Sequence, residues 1–349
     1  DDVLGGAAAL VAFDGPPLTS ANVVVIAGFA GVAWCALCPP TVMTRVLGAG
    51  LALALLGGLA QVLLAGHLAT PEPGRPLLTR AGAMPLLVVP HRPGWNLVHV
   101  PDEPVLVGNA ASALVPATSR PAASGRWALV WLEEGRGTLW LDHAGERRTV
   151  PVDTGRDPWT GPDVRGADGP EYASAVLGAV LTGRAEDVPW PGERLSDADA
   201  ASVRELVRSL AGREVALATD TSARSTAAAD VARREAAGVG VSITPHATET
   251  VVLTGWSAAA AHDGPAHLAP WLLTPDLLDR PTTRTVPLGH DPTTPAAQRY
   301  LAALADAFPG EAPSQPGLTA WLTGRGEPTD GPPTLLSDTR HWPTPTHTP

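Results

Sequence analysis

The sequence contains no lysine, so arginine supplies all 24 of its basic side chains, and the formal net charge is −11. This balance, without any basic run, argues against nucleic acid as a partner, because phosphate binding needs clustered basic side chains. The two cysteines, Cys35 and Cys38, both lie in an apolar segment, which excludes a disulfide framework from the rest of the chain. Common catalytic motifs, such as the G-x-S-x-G elbow and the phosphate-binding loop, are absent.

Long apolar runs are confined to the first part of the chain. Residues 47–66 reach the length of about 20 apolar residues that a membrane span needs, and residues 22–38 come close to it. The short connection carries one charge, Arg45, so the positive-inside rule places it in the cytoplasm. We therefore predict a transmembrane α-helical hairpin within residues 1–69, anchored in the lipid of the cell membrane with the remaining chain on the extracytoplasmic side. A buried hairpin in a soluble protein is the alternative.

The next region, residues 77–153, has the pattern of short strands separated by Gly, Pro and Asn. Several such strands at this spacing predict a small β-sandwich. The predicted strands are 85–89, 97–100, 127–132, 137–142 and 148–152.

One stretch in this region carries a resemblance. Pro90-His91-Arg92-Pro93-Gly94-Trp95-Asn96 resembles the opening of extracytoplasmic β-sandwich modules in bacterial copper-resistance membrane proteins. The resemblance implies a copper role, and imidazole suits copper. The implied metal ligands are His91, His99 and His143. The chain departs from such proteins in having only two methionines.

Acidic residues follow the sandwich region. Asp157, Asp163, Asp168 and Glu171 do not have the spacing of an EF-hand calcium loop, so we interpret them as residues of a solvated linker. An apolar helix is predicted directly afterwards, over residues 172–181.

Residues 168–324 alternate between strand and helix periods, which predicts an α/β domain with a parallel sheet. The tail, residues 325–349, is rich in Pro and Thr and is predicted to be disordered. The predicted strands are 214–219, 240–244, 250–254, 270–273 and 285–288, and the predicted helices include 196–210, 222–237, 294–308 and 316–322.

Three stretches of this domain, Glu214–Ser222, Thr250–Ser257 and Tyr300–Glu311, resemble one lobe of type I periplasmic-binding proteins, the fold of amino-acid receptors. The resemblance implies ligand binding, although a second lobe is missing. The whole arrangement also resembles an uncharacterised actinobacterial membrane-protein family found beside natural-product biosynthesis clusters.

Ligands of open α/β sheets bind at the carboxyl ends of strands. Two such ends are visible in the sequence, and each opens a helix. The free N–H groups of the first helix, after Thr219–Ser222, suit an anion or carboxylate, and Trp256 at the second end suits the wall of an apolar pocket. Ordinary helix capping is the alternative interpretation. The predicted ligand-binding residues are Thr219, Asp220, Thr221, Ser222, Ser225, Gly255, Trp256 and Ser257.

The first functional hypothesis is a membrane-anchored, extracytoplasmic binding or accessory protein without catalytic activity. It would bind a small-molecule ligand, act beside a membrane partner protein, and sense or hand over that ligand in natural-product biosynthesis or export. Copper handling is the alternative. A biosynthetic enzyme is the second alternative. His262, His267 and His290 lie near Asp263 and Asp291 in the sequence, and a hydrolase can use a His–Asp pair with a serine.

Overall fold

Alternating apolar residues build eight antiparallel strands that form two four-stranded sheets packed as a sandwich. The computed structural model describes residues 72–184, 188–288, 293–329 and 334–337. The sheet orders are β1-β2-β3-β6 and β5-β4-β7-β8. The strands are β1 Leu77–Ala81, β2 Met84–Val89, β3 Gly94–Val100, β4 Val105–Gly108, β5 Leu114–Pro116, β6 Arg126–Leu132, β7 Arg136–His143 and β8 Glu146–Asp153.

The first sheet contributes to two hydrophobic cores because successive side chains of a strand point to opposite faces. Leu86 and Val98 point into the sandwich, where they pack with apolar residues of the second sheet. Their neighbours Leu87 and Leu97 point the other way, into the core of the α/β part. The sandwich is therefore fixed to the α/β part by a continuous apolar contact.

The α/β part consists of one mixed sheet with helices packed on it. The sheet order is β10-β9-β11-β12-β13-β14, and every pair is parallel except β13 and β14. The strands are β9 Glu214–Ala218, β10 Ser242–Ile243, β11 Glu249–Val252, β12 Ala266–Leu268, β13 Thr283–Leu288 and β14 Thr334–Ser337. The α-helices are α1 Gly169–Val180, α2 Asp197–Ser209, α3 Ala223–Val239, α4 Trp256–Ala260, α5 Pro275–Leu278, α6 Pro295–Ala307 and α7 Gln315–Arg325, with a 3-10 helix at Pro270–Leu272.

Helix α1 connects the two parts of the molecule. Eleven of its twelve residues are buried, because it lies between the first sheet and α7. A β-carbon at Gly178 would clash with the carbonyl oxygen of Gly317, so the two helix backbones are in direct contact. The small residues that made this segment look strongly apolar are therefore needed for close packing inside the protein.

The predicted fold class, which began with a transmembrane hairpin, is corrected for the part of the chain that the structure describes. None of its helices is long and apolar enough to cross a membrane. The most apolar one, α1, has 12 residues, and a span needs about 20. The predicted spans, residues 22–38 and 47–66, lie outside the described residues.

Two local predictions also differ from the structure. The apolar run at residues 270–273 forms a 3-10 helix instead of a strand, and the strand lies just before it, at Ala266–Leu268. Within the predicted disordered tail, α7 continues to Arg325 and residues 334–337 pair with β13 as an edge strand.

Candidate functional site

The carboxyl ends of β9 and β11 meet at the point where the chain reverses its direction across the sheet. From β9 the chain passes through α3 to β10 on one side, and it then forms β11 on the other side of β9. Ligands of open α/β sheets bind at such switch points. The structure thus places the two predicted ligand-binding loops, Thr219–Ser222 and Gly255–Ser257, next to each other.

Asp220 joins these two loops. Its Oδ1 accepts a hydrogen bond from the Ser222 N–H at 2.9 Å, and its Oδ2 accepts one from the Gly255 N–H at 2.7 Å. Burial by itself would raise the pKa of Asp220, but these hydrogen bonds and the nearby Arg224 outweigh it and hold the pKa below its ordinary value. Both carboxylate oxygens are engaged, so Asp220 holds the loops together.

Replacing Asp220 with asparagine is expected to lower the free energy of unfolding by about 2 kcal/mol at neutral pH, because the amide nitrogen cannot accept the second hydrogen bond. The lowered pKa sets the pH dependence: the stabilisation by Asp220 is present above the ordinary carboxyl pKa and is lost as pH falls through the folded-state pKa. The difference between variant and wild type in denaturant melts should therefore shrink on acidification. Asp230→Asn, at an exposed position, serves as the control, and equal effects of the two variants would contradict this role.

The N-terminus of α3 is closed by protein groups. Ser222 Oγ accepts a hydrogen bond from the Ser225 N–H at 3.1 Å, and the Arg224 N–H donates to the carbonyl of Gly192 at 3.2 Å. Such capping satisfies N–H groups that a helix leaves free. Two donors that we predicted to be available to an anion therefore have partners, while the predicted residues Thr219 and Thr221 are exposed.

Beneath this loop lies a buried ion pair between α1 and α3. Arg224 Nη1 and Nη2 donate to Glu171 Oε1 and Oε2 at 2.6 and 3.1 Å, and the guanidinium lies 4.5 Å from the ring centroid of Trp271. Burial raises the pKa of Glu171, and Arg224 offsets this only in part. Our interpretation of Glu171 as a solvated linker residue is wrong, because its side chain is fully buried.

Asp168 fills the space beside Gly255. A β-carbon at Gly255 would lie 2.7 Å from its Oδ1. Burial raises the pKa of Asp168; Arg224 opposes this shift and the negative charge of Asp220 adds to it. Asp168 is half-buried, so the solvated-linker interpretation is wrong here too. The crevice at the switch point is thus filled by acidic side chains of the protein.

Trp256 connects the predicted site to an open cavity of about 320 Å³. Its indole N–H donates to the Trp271 carbonyl at 2.9 Å, and the Trp271 indole donates to the Thr254 carbonyl at 2.8 Å. These two hydrogen bonds fix the orientation of both rings. The cavity lies between this edge of the sheet and the loop that joins β5 to β6 in the sandwich. Of the predicted ligand-binding residues, Trp256 lines it.

The polar lining of the cavity is acidic and rich in hydroxyl groups. Asp102 and Asp276 lie at its exposed rim, and Glu311 is buried. Asp102 pairs with Arg126 at 3.1 Å and Asp276 lies 3.7 Å from Arg280, but neither arginine lines the cavity. The hydroxyl groups belong to Ser119, Ser124, Ser174, Thr274 and Ser314.

Glu311 is held in the cavity wall by His99 of the sandwich. His99 Nε2 lies 2.6 Å from Glu311 Oε2, and the two side chains are 1% and 4% exposed. The imidazole is stacked between Trp127 and Phe308, with ring centroids 3.9 and 4.8 Å away. This contact joins the two parts of the protein directly beside the cavity.

The three histidines implied as copper ligands have separate protein partners. His91 Nε2 accepts a hydrogen bond from the Asp153 N–H at 3.2 Å, so its Nδ1–H donates to the carbonyl of Arg75. Burial lowers the pKa of His91. His99 is bound to Glu311 as described, and His143, which belongs to the second sheet, lies 3.0 Å from the exposed Glu103 in the loop before β4. Among the described residues, no three His, Cys, Asp or Glu side chains are arranged to hold a metal ion.

The histidines considered for an enzyme are not brought together with a serine by any contact between described residues. His267 is buried in β12, with Nε2 at 3.4 Å from Glu249, and burial lowers its pKa. His262 lies in the loop after α4. His290 lies outside the described residues.

Comparison with known proteins gives little further information. No curated protein matches the chain. One family model matches residues 3–74, a segment that ends before the first strand of the sandwich and includes none of the residues that line the cavity beside Trp256; it is described as a family of unknown function, DUF6239.

Proposed function

We propose that this protein binds a small organic cation in the cavity between the sandwich and the α/β part, without changing it chemically. The observation that carries the proposal is the composition of the lining. Three carboxylates, from Asp102, Asp276 and Glu311, stand beside the aromatic residues Trp127 and Trp256, and no basic side chain of the described chain lines the cavity.

An ammonium group suits this lining because its hydrogen bonds to carboxylates are charge-assisted and about twice as strong as neutral ones. Glu311 provides the most enclosed acceptor. Its Oε2 is engaged by His99, whereas its Oε1 accepts no hydrogen bond from any described residue. Asp102 and Asp276 place further carboxylate oxygens at the rim, each beside an arginine that lies outside the lining.

The size and the apolar part of the lining define the rest of the ligand. A volume of about 320 Å³ is near the lower end for small-molecule pockets, which typically begin at about 300 Å³. Apolar walls from Ala122, Pro275 and Pro313 suit a hydrocarbon or aromatic body. The expected ligand is therefore a compact amine with an apolar body.

Binding without catalysis is favoured by the state of the cavity's hydroxyl groups. The Oγ atoms of Ser174 and Ser314 are 2.6 Å apart, and Ser314 Oγ also accepts from the Gly317 N–H at 3.1 Å. A serine nucleophile needs a base within hydrogen-bond reach. Since no described histidine lines the cavity, the lining presents binding groups rather than a nucleophile and its base.

A pair of probes of similar size and opposite charge tests this proposal. Calorimetric titration with tryptamine is expected to show saturable binding, whereas indole-3-acetate at the same ionic strength should give no heat above dilution. Equal binding of both probes would show that charge does not determine recognition and would refute the proposal. Absence of tryptamine binding at millimolar concentration would refute it for amines of this size.

A variant that fills the cavity with a large side chain tests whether the ligand occupies this space. Ala312 lines the cavity and is half-buried, so Ala312→Trp places an indole in the space that a ligand would occupy. We expect the affinity for tryptamine to fall by more than about tenfold, equivalent to the loss of about 1.4 kcal/mol of binding free energy. Ala303→Trp, at a half-buried position of α6 outside the lining, should bind as the wild type does. If both variants lose affinity equally, the ligand does not occupy this cavity.

A further inference from the structure

A second cavity, of about 420 Å³, opens at the end of the sandwich where β8 meets the connector to the α/β part. Its lining differs in character from that of the first cavity, because it contains three arginines, Arg92, Arg136 and Arg156. We infer that this cavity binds a small molecule through a carboxylate or phosphate group.

The first of these arginines is placed by a rigid loop. Asn96 is fully buried and its amide makes four hydrogen bonds within residues 91–94, two of them to the N–H and the carbonyl of Arg92. The side chain of Arg92 extends over Gly74, where a β-carbon would lie 2.8 Å from Nη1. The backbone of Arg92 is therefore fixed before any ligand arrives, which lowers the entropic cost of binding.

The two acidic residues of this cavity offset the charge of its three arginines only in part. Asp153 is buried, and its carboxylate accepts from the Gly155 N–H at 3.1 Å as well as from Arg136 Nε at 3.4 Å. Asp157 is 92% exposed and lies 3.9 Å from Arg92, at the limit of an ion pair.

Arg156 supplies the third positive charge in the lining of this cavity. Its side chain is exposed at the cavity, and no carboxylate of the described residues lies within ion-pair distance of it. With three guanidinium groups against two carboxylates, one of them held by its own backbone, the cavity carries net positive charge.

Guanidinium groups present paired donors in a plane, which match the two oxygens of a carboxylate or phosphate. The three arginines line one small cavity, whereas the chain as a whole is strongly acidic, with a net charge of −11. A small anionic molecule fits this arrangement, whereas a polyanion would be repelled by the remaining surface.

The test is a titration of the intact chain at constant ionic strength with inorganic phosphate and, separately, with succinate, followed by NMR of the arginine Nε–Hε groups. Saturable shifts of Arg92, Arg136 and Arg156 are expected with at least one probe. A response to phosphate alone would identify a phosphate-bearing ligand, and a response to succinate alone would identify a carboxylate. A response to either probe, or to both, supports the inference. The absence of a saturable shift with both probes would overturn it.

The matched variants are Arg156→Gln and Arg147→Gln. Arg147 is 59% exposed on the same sandwich and does not line the cavity. Arg156→Gln loses one charge-assisted contact, so its affinity for the probe that binds is expected to fall by about tenfold. Arg147→Gln should bind that probe as the wild type does. Arg156 is exposed and makes no hydrogen bond or ion pair with another described residue, so Arg156→Gln is expected to fold. Equal affinities of the two variants would overturn the inference, and this outcome is independent of amine binding in the first cavity.

Discussion

Replacing Arg224 with methionine is expected to lower the free energy of unfolding by about 4 kcal/mol, the largest stability effect that the structure indicates. The variant leaves the carboxylate of Glu171 without its partner at a position with no solvent exposure. It also removes the guanidinium from the face of Trp271. Denaturant melts at neutral pH measure the loss.

The pH dependence distinguishes a stranded charge from a simple loss of packing. Burial already holds the pKa of Glu171 above its ordinary value with Arg224 present, and removing the arginine takes away the main opposing influence. A carboxyl group with a raised folded-state pKa is most favourable for stability when protonated, and this contribution is lost as pH rises toward that pKa. The deficit of Arg224→Met should therefore be smaller at about pH 5 than at about pH 8.

The double variant Glu171→Leu/Arg224→Met is the control. Replacing both members of a buried ion pair with apolar residues of similar volume is often close to neutral. Most of the stability lost in the single variant should therefore return. A double variant as unstable as Arg224→Met, with no pH dependence in either, would show that shape rather than charge determines the effect.

The second large effect is expected at Asn96. Its Oδ1 accepts from the His91 and Arg92 N–H groups at 2.7 and 3.2 Å, and its Nδ2 donates to the carbonyls of Arg92 and Gly94 at 2.8 and 2.9 Å. The loop needs this support because His91 adopts a left-handed conformation, with φ of 61°, that non-glycine residues rarely adopt. Asn96→Ala leaves these groups without partners, and we expect a loss of about 3 kcal/mol.

Asn109→Ala provides the comparison, since Asn109 is exposed and makes one hydrogen bond, to the Trp131 carbonyl at 3.0 Å. Its effect should stay within about 0.5 kcal/mol. Thermal or denaturant unfolding of both variants decides the matter. If Asn96→Ala proved as mild as Asn109→Ala, water would have to satisfy the loop, and the rigid placement of Arg92 would be refuted.

Local patterns predicted the parts of the fold that depend on neighbours in sequence. The helix cap at Ser222 was visible because a small hydroxyl residue precedes an alanine-rich helix. The run Pro270–Leu273 was misassigned because a short apolar segment does not distinguish a strand from a turn of helix. The motif Pro90–Asn96 is visible in the sequence, but its role as a hydrogen-bonded loop depends on contacts that spacing does not show.

The contacts that hold the α/β part together, and those that join it to the sandwich, connect residues far apart in the chain. Glu171 and Arg224 are 53 residues apart, and His99 and Glu311 are 212 residues apart. The first cavity likewise needs loops of the sandwich opposite loops and helix residues of the α/β part. A single sequence gives candidates such as Trp256, but it does not show which distant residue lies opposite.

The division of the first cavity's walls between the sandwich and the α/β part determines how the protein can be dissected. Cutting the chain in the connector, residues 154–167, would remove one wall of that cavity and uncover Leu87, Val89 and Leu97, which are fully buried in the intact molecule. Neither fragment would retain the complete cavity for a ligand search, and each would expose an apolar surface prone to aggregation. Ligand screening therefore has to use a chain that spans both halves.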